Sequence, residues 1–446
     1  MCFGGGFERR AALEGLGVSA RALLALVGRS LLQSLPGGRY DLHPAVQVFA
    51  AQKLEVLQLG AVRLAHARYF MQFAESSEKP ILGGGNQLRM LERVTADHQN
   101  FLAVSDNNAD PDLVLRTVAA FGRYYYLKDH MLEGLQRLET ALAQSQTEDS
   151  NLLARAELAA GIQGNFLAYF ENSDAHLDAA LHHAEQAKLP LLKAEILNWQ
   201  GANSISKGML EIARVQLEEA IAIQRQAGDR LGLVNSINDL GRLYSDENDT
   251  NTAKKLFEES LGYARACQDL RGESIALMNT ANMIFDPPTC KTIIAQSLEI
   301  KKQLGDLGGL AFALHNYGSE LIEEQEYQAA RPYLLEALEI RVRVGRQQNA
   351  THTLLALAQP DVIEGYFERA MILYGVAWGT TQRINAKFSE DYTAWVKSLE
   401  RQAREALGEK NAEAAYQRGW KMSLEEAKVF VTVEIGMLEP PKTVGV

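Results

Sequence analysis

Apolar residues along most of this chain recur three and four positions apart, the spacing that puts one buried stripe on a helix. Between Leu231 and Asp269 the pattern predicts a helix pair. The first helix carries Val234, Ile237, Leu240, Gly241 and Tyr244, a polar turn runs from Ser245 to Thr250, and the second helix carries Ala253, Leu256, Phe257 and Ser260. The stripe of the first helix is marked by a small residue that returns at Gly122, Gly161, Gly201, Gly241, Ala281 and Gly318, spaced 39, 40, 40, 40 and 37 apart. Each is followed by a second small residue: Ala141, Ala180, Ala220, Ser260, Ser297 and Ala337. Five of these gaps are 19 long (220 − 201, for example), and Ala281 to Ser297 is 16. A period near forty residues without strand-type alternation predicts stacked helix pairs, an all-α solenoid.

Three further regularities support this. Glycine in mid-helix costs about 1 kcal/mol relative to alanine, so its recurrence inside a buried stripe points to helices in close approach. The second helices end alike, in AGD (Ala227 to Asp229), CQD (Cys267 to Asp269), LGD (Leu304 to Asp306) and VGR (Val344 to Arg346), and three of the four put glycine where a left-handed cap is expected. Small residues also return twelve positions after the lead (Gly134, Ser173, Ala213, Ala253, Ala330), and large apolar ones sixteen after it (Leu138, Leu177, Leu217, Phe257, Leu334). Small residues at offsets 0, 12 and 19 with a large one at 16 resemble the tetratricopeptide repeat over roughly residues 110 to 380. The family's period is 34 with a proline near its end. The longer period here is similar to that of kinesin-light-chain-like repeats.

The flanks read differently. Phe3 to Leu13 and Leu23 to Leu54 predict helix, helix, a two-stranded wing turning at Pro36-Gly37-Gly38, and a helix opening at His43-Pro44, where a proline just inside a helix start is well placed. This string resembles the end of the winged-helix subdomain of bacterial NB-ARC-like signal-transduction ATPases, the STAND class. Later stretches continue the likeness to the sensor half of ATPase-type transcriptional regulators of the LuxR/SARP-associated kind: His66 to Glu75, Leu91 to Val104, Tyr124 to Ala143, Phe367 to Trp378 and Glu405 to Ala427. Those regulators need a phosphate-binding loop, G-x-x-x-x-G-K-[ST]. No glycine here precedes a lysine. Gly4-Gly5-Gly6 and Gly83-Gly84-Gly85 lack that lysine and a preceding strand, so they read as flexible loops. The resemblance thus implies a sensor end without its motor, a truncated product or a stand-alone relic, and no ATP hydrolysis. The expected fold is an all-α, tetratricopeptide-like right-handed helical solenoid with a small N-terminal winged-helix remnant. Its expected domains are 1–54 (winged-helix-like), 55–145 (N-terminal helical pairs), 146–346 (repeats) and 347–446 (a C-terminal repeat and helical end cap).

Composition narrows the function. No stretch approaches the roughly 18 to 20 apolar residues of a membrane span. A formal net charge of −11 argues against binding nucleic acid through the whole surface. The first 54 residues depart from this, with six basic against three acidic side chains, which suggests a separate module. Cys2, Cys267 and Cys290 lie too far apart for a disulfide framework or metal cluster, and no signal-peptide layout opens the chain, so a reducing cytoplasm is the expected compartment. No cofactor or metal is expected.

Candidate chemistry is sparse. Polar side chains recur at inward-facing positions of the first helices: Arg123, Asn198, Asn235, Asn238, Asp239, Arg242, Asn279, Asn282, His315 and Asn316. Asparagine is a poor helix-interior residue, so its return on one face needs a cause. Either the amides pair with the backbone of an extended ligand, or they tie neighbouring helices together. His43 stands where, in the resembling ATPases, a histidine contacts the β-phosphate of ADP. Its plainer reading is a helix cap beside Pro44. Asp178 with His182 and His183 reads as a solvated helix face, Cys267 and Cys290 as small apolar fillers, and Trp378, Trp395 and Trp420 as anchors of the end cap. Two function classes remain. One is a non-catalytic solenoid that binds a protein or peptide within transcriptional signalling. The other is a fragment of a STAND-class ATPase switch whose winged helix still contributes to nucleotide-dependent regulation. A protein or peptide ligand is the expected partner, with a separate nucleotide-binding subunit as a further one.

Overall fold

The computed structural model describes residues 3, 5–53, 56–106, 110–283, 287–384, 388 and 390–436. The chain forms two compact units, Met1–Ile284 and Phe285–Val446.

The first unit opens with a small mixed module. Strand β1 (Phe7–Glu8), a π-helical turn (Ala11–Gly15), helix α1 (Ala20–Gly28), strands β2 (Leu32–Leu35) and β3 (Arg39–Leu42) and helix α2 (Pro44–Lys53) follow in order. β2 and β3 make the expected hairpin, turning at Pro36–Gly38, where Gly37 has φ 74°. The expected helix over Phe3 to Leu13 is interrupted: Phe7 and Glu8 instead pair antiparallel with Tyr40 and Arg39, giving the order β1-β3-β2. The free edge of β3 and the burial of Phe7 account for this, since an unpaired edge is an open row of donors and acceptors.

Among the described residues, nine long helices build the remainder with three shorter ones: α3 (Val56–Ser77), α4 (Gln87–Ala96), α5 (His98–Asp106), α6 (Pro111–Leu127), α7 (Met131–Gln144), α8 (Ser150–Phe166), α9 (Phe170–Gln186), α10 (Pro190–Ser206), α11 (Leu210–Ala227), α12 (Arg230–Asp246), α13 (Thr250–Cys267) and α14 (Leu270–Ala281). The small module is fastened to this stack by polar contacts. Arg39 Nη2 donates to Asp97 Oδ1 at 2.7 Å and to the Gly6 carbonyl at 3.1 Å, Asn100 Nδ2 donates to the same two oxygens, and Arg93 grips both carboxylate oxygens of Glu8.

The helix pairs keep time with a backbone feature. Left-handed residues stand at Ala168 (φ 59°), Lys188 (54°), Gly208 (74°), Gly228 (69°), Asn248 (64°) and Gln268 (52°), twenty apart throughout (188 − 168, for example). Each lets one helix stop and the next start within three residues, as a left-handed C-cap does. At three of these links the following residue is an aspartate, Asp229, Asp249 or Asp269, whose carboxylate accepts a backbone N–H of the next helix at 3.0–3.1 Å. The Asp of AGD and CQD thus caps the following helix, as Asp306 of LGD does by accepting Gly309 N–H at 2.8 Å, and such a cap stabilises a helix start by about 1 kcal/mol. The small lead residues lie where paired helices cross. A Cβ on Gly161, Gly201 or Gly241 would come within 2.8 Å of Leu177, Leu217 or Phe257, each the large residue sixteen positions on.

The second unit repeats the scheme in α15 (Pro287–Leu304), α16 (Leu307–Glu323), α17 (Tyr327–Arg343), α18 (Gln347–Ile363) and α19 (Phe367–Arg383), with left-handed residues at Gly305, Gln325, Gly345 and Gly365. Helices α20 (Glu390–Leu407), α21 (Glu409–Trp420) and α22 (Leu424–Gly436) then cover its apolar face. α19 and α21 cross backbone to backbone: a Cβ on Gly375 would lie 2.1 Å from the Tyr416 carbonyl oxygen. Trp378 donates its indole N–H to Glu400 at 3.1 Å, and Trp420 lies tilted against Tyr416 with centroids 5.8 Å apart. Trp395 is not an anchor of this kind, being 44% exposed; its neighbours do not cover it because it sits on the outer side of α20. A buried triad lies under α18: Arg331 and Arg369 both bond Asp361, at 2.9 and 2.5 Å.

Candidate functional site

In the first unit the leading helices of successive pairs, α6, α8, α10, α12 and α14, pack side by side. Their common face encloses two adjoining cavities of about 490 and 740 Å³ that share Arg123, Arg155, Leu191, Leu192 and Glu195 in their walls. The smaller is lined mainly by apolar side chains, among them Leu158, Ile162, Leu189 and Pro190. The larger adds Tyr126, Trp199, Gln224, Asn235 and Arg271.

One wall is a strap. Between α3 and α4 the chain runs across this face to the link between α13 and α14. Gly84 N–H donates to the carbonyls of Cys267 and Gln268, each at 3.1 Å. The Gln87 side chain is buried; its Nε2 donates to the Ile81 carbonyl at 3.0 Å while its Oε1 accepts from Leu270 N–H at 3.1 Å. Gly83 to Gly85 are therefore anchored, contrary to the expectation of a flexible loop. The sequence did not disclose it because the partners lie some 180 residues away: 183 separate Gln87 from Leu270. Glu78, at the start of the strap, forms an ion pair with Arg155.

The electrostatics of the larger cavity are mostly settled internally. Arg123 pairs with Glu195 and Arg155 with Glu78. Asp229 and Asp269 accept backbone N–H groups as caps, and burial pushes the Asp269 carboxyl above the usual range, with the Gly272 N–H acting against that. Tyr126 stacks on Phe166 with centroids 5.2 Å apart, and Trp199 meets Phe166 edge-on at 5.6 Å. The Arg271 guanidinium lies 4.9 Å over the Tyr126 ring and 5.8 Å from that of Phe166.

The inward-facing polar residues divide. Asn198 Nδ2 donates to Asp239 Oδ2 at 2.9 Å and its Oδ1 accepts from the Ser236 hydroxyl at 2.7 Å; Asn279 Nδ2 donates to Asn238 Oδ1 at 2.8 Å. These bonds join α10 to α12 and α12 to α14, and Asn165 to Asn203 joins α8 to α10 in the same manner. Asn198 and Asn238 are only 3% and 7% exposed and bond between helices, since an unsatisfied buried amide is costly; this corrects Asn238 as a free groove contact, whereas Asn198, though bonded, still lines the larger cavity. Arg242 donates to Asp239 on its own helix at 2.9 Å. Asn235 is exposed and lines the larger cavity, Arg123 lines both, and Asn282 is exposed at the end of α14. His315 and Asn316 belong to α16 of the second unit, where burial pushes the His315 imidazole down to about 3. Sequence reading missed Tyr126, Arg155, Glu195, Trp199, Gln224 and Arg271.

His43 is exposed, and its Nδ1 accepts the Ala45 N–H at 3.2 Å, the geometry of a helix cap. Asp178 takes the amide of Gln200 at 2.8 Å and His182 lies against Gln186, so the two do not meet in one site. Cys290 is buried and Cys267 partly so, and burial pushes both thiols up, to about 12 for Cys290. No helix among the described residues is long and apolar enough to cross a membrane.

The tetratricopeptide-repeat family model matches residues 234–267 and 313–341. A search of curated protein sequences returns no match. Among solved structures, the chain is similar to a STAND protein with a tetratricopeptide repeat sensor from Pyrococcus horikoshii, at 13% identity and a TM-score of 0.53. That likeness covers 96% of this chain and 63% of the archaeal one, so the chain spans under two thirds of that protein. It is also similar to a Rap protein complexed with competence and sporulation factor (12% identity, 84% and 99% covered, TM-score 0.53). A third is the apo form of the quorum sensor NprR from B. thuringiensis (15% identity, 76% and 91% covered, TM-score 0.50). These likenesses show the fold, an all-α stack of tetratricopeptide-type helix pairs.

Proposed function

We propose that this chain is a non-catalytic sensor whose first unit binds an extended peptide, or a peptide-like segment of a protein, within a bacterial signalling or transcription-regulatory system. The observation that carries this is the pair of cavities along the inner helices, about 490 and 740 Å³, with an apolar floor, aromatic side chains and a few polar groups at fixed positions. The fold shared with a Rap protein complexed with a signalling factor and with a quorum sensor supports it. So does the settled electrostatic interior: ion pairs already made within the walls, Arg123 with Glu195 among them, leave shape and a small number of open contacts such as Asn235 to select the ligand. The proposed domains follow the sequence boundaries, and the part of 146–346 that lies in the first unit, from Asn151 to Arg271, supplies most of the binding face.

The test is affinity selection from a random octapeptide pool on the full chain, wild type beside Leu191→Glu. Leu191 lines both cavities and is 43% exposed, so the charge is tolerated by the fold while it blocks the apolar floor. Peptides are expected on the wild type and not on the variant; equal retention by both refutes this site.

A second reading concerns the first module, where Leu24, Val48 and Phe49 are each at least 60% exposed. We assign this face to a separate nucleotide-binding partner. A photo-crosslinker placed at Phe49 in the native host is expected to trap a protein bearing a phosphate-binding loop, and recovery of partners that all lack one counts against the assignment.

A further inference from the structure

Arg271 differs from the other arginines of the cavity walls. Arg123 and Arg155 each hold a carboxylate, whereas the Arg271 guanidinium has no carboxylate within ion-pair distance and donates no hydrogen bond among the described residues, though the backbone N–H of Arg271 bonds Asp269. Asp229 and Asp269 in the same wall accept backbone N–H groups of the helix starts they cap, and Asp269 feels the Arg271 charge without forming an ion pair with it. What fixes Arg271 is the aromatic surface beneath it, Tyr126 and Phe166, stacked 5.2 Å apart. A guanidinium held over rings by cation–π attraction uses none of its N–H groups in that contact, and its N–H fork fits a carboxylate in a bidentate manner. An independent observation lies in the same wall. Gln224 is 2% exposed, and its side-chain carbonyl oxygen is buried without a partner. A buried acceptor left open is costly unless a ligand supplies an N–H.

We propose that the ligand of this cavity is a peptide that presents a carboxylate to Arg271 and a backbone N–H to the Gln224 carbonyl, with an apolar side chain for the adjoining smaller cavity. This rests on the peptide-binding reading above and names the chemistry of its ligand. The carboxylate comes either from the peptide's C-terminus or from an aspartate or glutamate side chain.

Three synthetic octapeptide pools separate the possibilities: one with free C-termini, one C-terminally amidated, and one amidated and lacking Asp and Glu. Each is passed over the full-length chain and bound peptides are read by mass spectrometry. Wild-type protein is expected to retain peptides from the first pool, the second, or both, and to retain the acid-free amidated pool at least about tenfold less. Arg271→Met, which keeps an apolar chain on the rings, is expected to lose that preference, and Arg271→Lys to recover only part of it. Thermal melts confirm that both variants are folded, and should the methionine variant melt early, the lysine variant is read alone. Enrichment in the free-C-terminus pool only identifies the terminal carboxylate; enrichment in both acid-containing pools identifies a side chain. Equal retention of all three pools, or unchanged affinity in the folded Arg271 variants, overturns the carboxylate inference and leaves peptide binding intact. No retention from any pool overturns both.

Discussion

At the scale of single residues, the repeat is set by where a side chain is forbidden. Gly241 faces Phe257 at a distance that leaves no room for a Cβ, 2.6 Å from the nearest ring atom. Gly241→Leu is therefore expected to destabilise the first unit by about 1–3 kcal/mol, the usual range for overpacking. An unchanged urea midpoint would show that the helices separate there freely. These contacts were legible: the lead glycines and the large residues sixteen on were both visible in the sequence, and the structure adds only that they touch. The cavity residues were less so, though a signal existed. The position six before the leads Gly161, Gly201 and Gly241 holds Arg155, Glu195 and Asn235, all of them in the cavity walls. A search restricted to amides finds only the last. In these middle repeats, position along the helix, not residue type, marks what lines the cavity.

At the scale of helices, polar groups serve as fasteners. The amides of Asn198, Asn238 and Asn279 link leading helices one repeat apart, so the Asn238→Ala, Asn279→Ala double variant is expected to lose stability, by about 1 kcal/mol or more for the buried bond removed. Calorimetry beside peptide binding checks this, since a melting point held constant with binding abolished would return these residues to the ligand. The second unit has a stronger fastener. Asp361 is fully buried between two guanidinium groups, and a buried pair broken on one side typically costs about 3–5 kcal/mol. Asp361→Asn is expected to fall in or near that range by denaturant titration, with Glu364 still holding Arg331 and softening the loss. Arg331, Asp361 and Arg369 went unread because nothing in a single sequence reveals that charges thirty positions apart meet; 30 separate Arg331 from Asp361.

At the scale of the molecule, histidines couple the fold to pH. Burial holds the His66 imidazole down to about 4, where it lies between Phe3 and Phe70, and holds His98 and His352 down as well. The unfolded chain takes up these protons near pH 6.5 and the folded chain refuses them, so stability is full above that value and falls as the pH drops toward about 4. His176 works in the opposite sense. Burial opposes its charge, yet Glu157 and Glu139 prevail and raise it, so its contribution is full in mild acid and fades as the pH climbs through its raised value. Since the lowered groups outnumber it, urea midpoints are expected to fall between pH 7.5 and 5, and His66→Leu to flatten part of that fall; equal midpoints at the two values would refute it. The strap carries a different consequence. A simple stack of repeats can fray from either end, each repeat answering only to its neighbours. Here Gly84 and Gln87 hold the turn at Cys267 to Leu270, closing a ring of chain whose ends must meet before the clasp forms. Closing a ring of that length costs about 4–5 kcal/mol of chain entropy by the logarithmic rule, and contacts so remote in sequence slow folding. The first unit is thus expected to open as one cooperative block, its amides from α3 to α14 exchanging with deuterium together, and Gln87→Ala to restore the graded fraying of an unclasped array.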